Sequence, residues 1–207
     1  MKKHVTYELV IKKLKNIKSK ERYNIEQDIL KKYINKEKYL SSEFKYVYMI
    51  STLINSFYST RMGADRLYAV AEYISKNTNI NNLDKVITVI NNARGNLQYK
   101  NNNLGAYSFL TKYYSVHDRY LNNIKSSNYP IFDSAVEKCL KNIIENKKQY
   151  SIKFQDYLNK FHKKDLRDYK KFNELIENFL AEINSNTSEK SLTKTELDKY
   201  FWTVGRE

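Results

Sequence analysis

The 207-residue sequence has very few of the residues that form turns and disulfide bonds: one cysteine, one proline and four glycines. A single cysteine, Cys139, excludes an intramolecular disulfide framework. The few glycines form neither a GxxxxGK[ST] nor a GxGxxG phosphate-binding loop. So little proline and glycine also argues against a turn-dense β-sandwich. No apolar run is long enough for a signal peptide or a bilayer span, so we expect a cytoplasmic protein without a membrane partner.

Metal and hydrolase signatures are missing as well. The three histidines, His4, His117 and His162, form no His-x-x-x-His pair, and with one cysteine they offer no ordinary zinc site. The GxSxG turn of α/β-hydrolases is absent. We therefore expect no metal, no nucleotide cofactor and no other cofactor.

Positive charge is what the sequence has in excess. Lys and Arg number 37 against 23 Asp and Glu, which gives a formal net charge of +14. Such an excess favours an anionic partner, either nucleic acid or a membrane surface. The chain is also rich in the residues that AT-rich codons supply, including lysine. The charge by itself leaves open whether it marks a binding surface or codon composition.

Helical periodicity runs through nearly the whole chain. Apolar residues recur at spacings of three and four, as in Val47, Ile50 and Ile54, and no segment alternates with a period of two. The sequence predicts an all-α fold of about ten short helices. Ser134-x-x-Glu137 and Thr193-x-x-Glu196 fit capping boxes that open two of them. We expect two helical lobes, one of residues 41–125 and one of residues 1–40 with 126–207, with the active cleft between them.

The segment Leu104–Leu140 contains the residues that suggest a catalytic site. Lys112 follows Ser108 and Thr111 near the start of an apolar helix, and Asp133 follows the only proline, Pro130, at the start of the next helix. A helix of three or four turns and a return loop would bring the carboxylate back beside the amine.

This arrangement resembles the helix-hairpin-helix DNA glycosylases, in particular the 8-oxoguanine DNA glycosylase branch. That branch carries a Thr-Lys with the catalytic lysine and a Pro-Val-Asp with the catalytic aspartate, and Lys112 and Asp133 fall on those positions. Leu197-Asp198-x-x-Phe201-Trp202-x-x-Gly205 also looks like the closing helix of its small relatives. Two departures stand out: Ala106–Leu110 replaces a glycine-rich hairpin, and the spacing from proline to aspartate is one residue longer.

The resemblance implies an all-α glycosylase-like fold with a helix-hairpin-helix-like element. It also implies excision of a damaged or modified base from double-stranded DNA. Lys112 would attack C1′ as the nucleophile and Asp133 would stabilise the sugar cation. The base would be flipped into an aromatic pocket. The residues expected to contact DNA are Ser108, Thr111, Arg61, Lys138 and Lys141, and those expected to line the pocket are Tyr58, Tyr113, His117 and Trp202.

Simpler roles compete with these assignments. Asp133 fits a helix N-cap, Lys112 fits one of many solvated lysines, His117 fits a surface histidine and Trp202 a core anchor. The alternative function is a non-catalytic DNA- or protein-binding protein on the same fold, for example in phage–host conflict. The lost hairpin glycines favour that alternative, and the retained Lys112 and Asp133 favour the enzyme.

Overall fold

The computed structural model confirms an all-α fold. It describes residues 5–17, 21–58, 60, 62–77, 83–95, 98–99, 102–103, 106–124, 126–185, 187 and 191–205. Within these ranges lie eleven α-helices, two short 3-10 helices and one hairpin of two-residue strands. None of the described helices combines the length and the apolar character that a segment needs to cross a bilayer.

The chain divides into two compact units, and Glu21–Lys125 forms one of them, hereafter the central unit. Its elements are α2 (Glu21–Tyr33), α3 (Lys36–Ser41), α4 (Phe44–Phe57), α5 (Ala64–Asn77), α6 (Leu83–Gly95), β1 (Gln98–Tyr99), β2 (Asn102–Asn103) and α7 (Tyr107–Leu121). The two strands pair antiparallel between α6 and α7.

Helices α4 and α5 pack closely in the central unit. The apolar stripe of α4 predicted from its spacing is buried, with Val47, Ile50 and Ile54 fully enclosed. Helix α3 is fixed by Asn35, whose side chain accepts a hydrogen bond from the backbone N–H of Lys38 at 3.0 Å. The backbone N–H of Asn35 donates to the Tyr46 hydroxyl at 3.0 Å, which ties the start of α3 to α4.

The other compact unit combines Met1–Lys20 with Ser126–Glu207 and is called the terminal unit here. Its helices are α1 (Tyr7–Ile17), α8 (Ser134–Glu145), α9 (Ile152–Lys160), α10 (Tyr169–Ser185) and α11 (Lys194–Val204), with 3-10 helices at Lys147–Gln149 and Lys163–Arg167. Helix α10 supplies much of the core, because its apolar positions Phe172, Leu175, Ile176 and Phe179 are all fully buried. The predicted capping box at Thr193 and Glu196 is confirmed.

The unit boundary differs from the expected one at its N-terminal end. Residues 21–40 were expected to join the second lobe, but α2 and α3 pack on α4, and α2 also contacts α7. Gln27 of α2 accepts hydrogen bonds from Arg119 and Tyr120 of α7, each at 2.5 Å. These contacts place residues 21–40 in the central unit, so only the first 20 residues accompany residues 126–207.

Candidate functional site

Helix α7 of the central unit carries Lys112 and is buried nearly all around. From Tyr107 to Asp118, every residue except Ser108 is buried, and Lys112 is 5% exposed. Among the lysines whose side chains the structure describes, Lys112 alone is buried. The interpretation of Lys112 as an ordinary solvated lysine is therefore wrong, because its side chain is shielded from solvent along with most of α7.

Ser108, predicted to contact DNA, lies one turn before Lys112, and Thr111, also predicted to do so, directly precedes it. The Thr111 side chain is fully buried, and its hydroxyl donates to the carbonyl oxygen of Ser108 at 2.9 Å. Threonine hydroxyls inside helices often donate to a carbonyl oxygen of the preceding turn in this way. In this conformation Thr111 presents no hydroxyl to a phosphate, whereas Ser108 remains partly exposed.

The residues that the resemblance aligns with the hairpin form the beginning of α7. Ala106 is the N-terminal flanking residue, and Tyr107–Leu110 are helical. Without a glycine, this segment has no residue suited to a tight turn. The paired strands β1 and β2 lie between α6 and α7, earlier in the chain than this segment.

His117 belongs to the core of the central unit and not to its surface, as the simpler interpretation held. It is 1% exposed and stacks between Tyr39 and Tyr113, with ring centroids 4.8 Å and 4.1 Å away. Its Nδ1 lies 2.9 Å from the carbonyl oxygen of Tyr113, so Nδ1 carries the proton and donates. Burial lowers the pKa of His117 to about 4, against the smaller opposing effect of this hydrogen bond.

Tyr113 is likewise a core residue. Its ring is fully buried, and desolvation, followed by the nearby Tyr39, Tyr114 and Tyr46, raises the pKa of its hydroxyl well above the usual value. Burial of this degree removes Tyr113 and His117 from any open pocket wall in the conformation observed. Tyr58, the third pocket residue of this unit, ends α4 and is half-buried. Arg61 lies outside the described residues.

Asp133, in the terminal unit, is the N-cap of α8. Its backbone is extended, and Oδ1 accepts hydrogen bonds from the N–H groups of Ala135 and Val136, both at 3.0 Å. The predicted capping box at Ser134 is therefore wrong by one residue: Ser134 is the first helical residue, and Asp133 takes the cap. The carboxylate is 9% exposed.

Lys138 and Lys141 line an open cavity of about 690 Å³ along α8, next to the end of α11. Lys138 donates to the carbonyl oxygen of Gly205 at 3.2 Å, and Lys141 pairs with Glu137 at 2.7 Å. Cys139 also lines the cavity. Burial raises the pKa of its thiol to about 11, so the thiol stays protonated and a poor nucleophile at neutral pH.

Trp202 is neither a core anchor nor part of this cavity wall. Its neighbours Tyr200 and Phe201 are buried, whereas Trp202 follows on a different face of α11 and is 37% exposed. No group of three or more His, Cys, Asp or Glu side chains suited to a metal ion occurs in the described part of the chain.

Lys112 thus lies within a buried helix of the central unit, and Asp133 lies at the N-terminus of a helix in the terminal unit. Sequence reasoning missed Asp198 and Tyr169, whose side chains bind the backbone just before Asp133. Asp198 lies in the segment that resembles a closing helix, but its partner is 67 residues away in the sequence, which no local pattern reveals.

Comparison with known proteins assigns a family to the chain. The family model HI_0787_N, described as an N-terminal domain, matches residues 9–121. That is more than half of the 207 residues, and the chain belongs to this family. The match covers part of α1 and the described part of the central unit as far as residue 121, including Lys112, and it ends before Asp133.

An uncharacterized protein of Haemophilus influenzae (strain ATCC 51907 / DSM 11121 / KW20 / Rd) is 34% identical over 101 residues. The alignment covers 49% of this chain and 37% of the relative. The chain therefore spans little more than a third of the length of that relative. No solved structure matches the chain.

Proposed function

We propose that the protein is a DNA glycosylase with lyase activity that removes a damaged or modified base from double-stranded DNA. The observation that supports this most is the burial of Lys112, at 5% exposure, on a helix where the resemblance expects a nucleophilic amine. Burial shields this side chain from bulk water, and an enclosed amine suits nucleophilic attack on a carbon atom.

In the proposed reaction, the bond between C1′ and the base nitrogen breaks, and the base leaves with the electron pair. Lys112 Nζ forms a bond to C1′ and loses a proton, which neutralises the departing base. The C1′–O4′ bond then breaks, O4′ takes a proton, and a protonated Schiff base remains. Loss of a C2′ proton to solvent with departure of the 3′ phosphate cleaves the strand. Because Lys112 is 5% exposed, we expect DNA binding to open part of the central unit before the chemical step.

Asp133 is the second catalytic residue of the proposed reaction. As the glycosidic bond breaks, positive charge develops on the sugar, and a fixed carboxylate stabilises it. The two hydrogen bonds to Oδ1 hold this carboxylate in one orientation. An oriented carboxylate needs little reorganisation during the reaction.

A non-catalytic DNA- or protein-binding function is the second candidate. One observation favours it: the residues aligned with the glycine-rich hairpin begin α7, and Thr111, which directly follows them, is buried. A protein that had lost the hairpin contact to phosphate would hold DNA through other groups. Lys138 and Lys141 are the candidates in the terminal unit.

Borohydride trapping on a duplex with one abasic site tests the enzyme hypothesis without knowledge of the base. We expect the wild-type protein to be trapped, because the reductant converts the Schiff base into a stable amine. Lys112→Gln should lose trapping by on the order of 100-fold or more. Lys85→Gln, which changes an exposed lysine of α6 in the same unit, is the matched control.

Trapping that is equal in Lys112→Gln and in the control would refute the assignment of the nucleophile. Base release should then be measured on a panel of duplexes with different damaged and modified bases. No trapping and no base release on any duplex, with DNA binding intact, would favour the non-catalytic function.

A further inference from the structure

The backbone that leads into Asp133 is held by side chains of α10 and α11. Thr195 Oγ1 accepts a hydrogen bond from the N–H of Ser127 at 3.2 Å, and the N–H of Thr195 donates to Ser126 Oγ at 3.3 Å. Lys194 Nζ donates to the carbonyl oxygen of Asn128 at 3.3 Å. A loop of this kind would ordinarily bind water along its backbone, but here protein side chains take that place.

The peptide group between Pro130 and Ile131 is bound on both edges. The Tyr169 hydroxyl of α10 donates to the carbonyl oxygen of Pro130 at 2.9 Å. Asp198 Oδ2 of α11 accepts from the N–H of Ile131 at 3.1 Å. Both side chains are buried, at 0% and 8% exposure. Two helices therefore fix the rotation of this peptide plane.

The fixed peptide plane is close to the carboxylate in the chain. Phe132 follows it, is 7% exposed and meets Phe172 of α10 edge to face at 5.1 Å. The next residue is Asp133, whose Oδ1 is bound by the first turn of α8. Few backbone torsions remain between the two anchors, so a displacement of the peptide plane is transmitted to the carboxylate.

We propose that Asp198 and Tyr169 are positioning residues for Asp133. By holding both edges of the Pro130–Ile131 peptide group, they set the direction in which the Asp133 carboxylate leaves the backbone. This inference rests on the proposed glycosylase function for its catalytic consequence. Its structural content, that the two side chains control the N-cap of α8, is measurable without any activity.

Amide hydrogen exchange of Ala135 and Val136 tests the structural content. Asp198→Ala and Tyr169→Phe should each raise exchange at these two amides by about 10-fold, since loss of a positioning contact opens the cap locally. Asp198→Asn keeps an acceptor oxygen and should restore slow exchange. Glu182→Gln is the matched control, because buried Glu182 of α10 holds the start of α9 through Ser151. Slow exchange in Asp198→Ala, equal to wild type, would overturn the inference.

Single-turnover base release tests the catalytic consequence. With wild-type affinity for DNA, Asp198→Ala should release base about 10-fold more slowly, as misplaced catalytic groups do, and Asp198→Asn should recover the rate. Faster exchange without slower base release would overturn the positioning role in the reaction. If the wild-type protein neither traps nor releases a base, the proposed function fails, and the exchange experiment still decides whether the two residues position Asp133.

Discussion

Lys112 of the central unit lies within a buried helix, whereas Asp133 of the terminal unit caps the beginning of a helix. Lys112 lies on a helix enclosed on nearly every side, so neighbouring side chains limit its freedom. Asp133 lies at a helix end, where two backbone N–H groups orient its carboxylate. The position of Lys112 therefore depends on the packing around α7, whereas that of the Asp133 carboxylate depends on the first turn of α8.

The two environments also predict different effects for substitutions around Lys112 and around Asp133. Packing is shared among many residues, so single changes around Lys112 are expected to act through the stability of the unit. A hydrogen bond joins one donor to one acceptor, so a single substitution near Asp133 is expected to change the structure only around that residue.

Substitution of Asp133 should give the largest effect and should separate catalysis from capping. Asp133→Asn and Asp133→Ala remove the negative charge, and we expect base release to fall by roughly 10²–10³-fold in both. Only Asp133→Ala should also lose about 1 kcal/mol of unfolding free energy, because asparagine caps helices as well as aspartate. Single-turnover rates and urea unfolding measure the two effects. An Asp133→Asn protein with wild-type rates would remove Asp133 from the reaction.

Acid should weaken the central unit through His117. Its pKa is about 4 in the folded protein and about 6.5 in an unfolded chain, so folding favours the neutral ring. Stability present above pH 6.5 is therefore lost as the pH falls toward 4, by about 3 kcal/mol in the limit and about 2 kcal/mol at pH 5.

Urea unfolding at pH 7 and pH 5 measures this loss. His117→Phe keeps an aromatic ring between Tyr39 and Tyr113 and removes the titrating group. The wild-type protein should lose about 2 kcal/mol more than this variant between the two pH values. An equal loss in both proteins would show that His117 is not buried in its neutral form.

Glycine substitutions compare the tolerance of the two units. A Cβ on Gly205 would lie 2.4 Å from the carbonyl oxygen of Ala135, in the first turn of α8. Gly205→Ala should therefore cost about 1–3 kcal/mol of stability, because backbone has to move. A Cβ on Gly63, before α5 in the central unit, would meet no atom within 4 Å, and Gly63→Ala should cost less than about 1 kcal/mol. Equal melting temperatures for the two variants would contradict the close approach of α11 to α8.

The smallest effects are expected at the two lysines of the α8 cavity. Lys138→Gln and Lys141→Gln should each lower the slope of log K against log salt by up to about 1 if the lysine binds a phosphate. Lys138, which donates to a neutral carbonyl, should matter more than Lys141, which pairs with Glu137. Lys153→Gln on α9 is the exposed control. Slopes equal to wild type in both variants would place the DNA-binding surface elsewhere.

Local patterns in the sequence predicted the local structure well. The all-α fold followed from the three- and four-residue spacing of apolar residues, and the cap at Thr193 followed from four consecutive residues. The start of α8 was expected at Asp133 or Ser134, since both residues are good N-caps, and the structure confirms Asp133 as the cap because its backbone is the extended one. Apolar spacing and helix caps involve residues that are close in the sequence, so they can be predicted without knowledge of tertiary contacts.

The surroundings of the candidate residues depend on distant partners. His117 is buried because Tyr39 of α3 covers its ring, and the polar sequence beside it suggested a surface position. Asp198 binds Ile131 across 67 residues of sequence. The periodicity of α7 predicted an apolar face, but the burial of Lys112 depends on packing against residues distant in the sequence, which periodicity does not reveal.

The most direct test of the account is the identity of the residue that becomes attached to DNA. Wild-type protein is reduced with borohydride on an abasic duplex, the DNA is digested, and the protein is mapped by peptide mass spectrometry. The account predicts a sugar adduct on Lys112, in the peptide that carries α7, and none on exposed lysines such as Lys85. An adduct confined to other lysines, or no adduct while DNA remains bound, would contradict it.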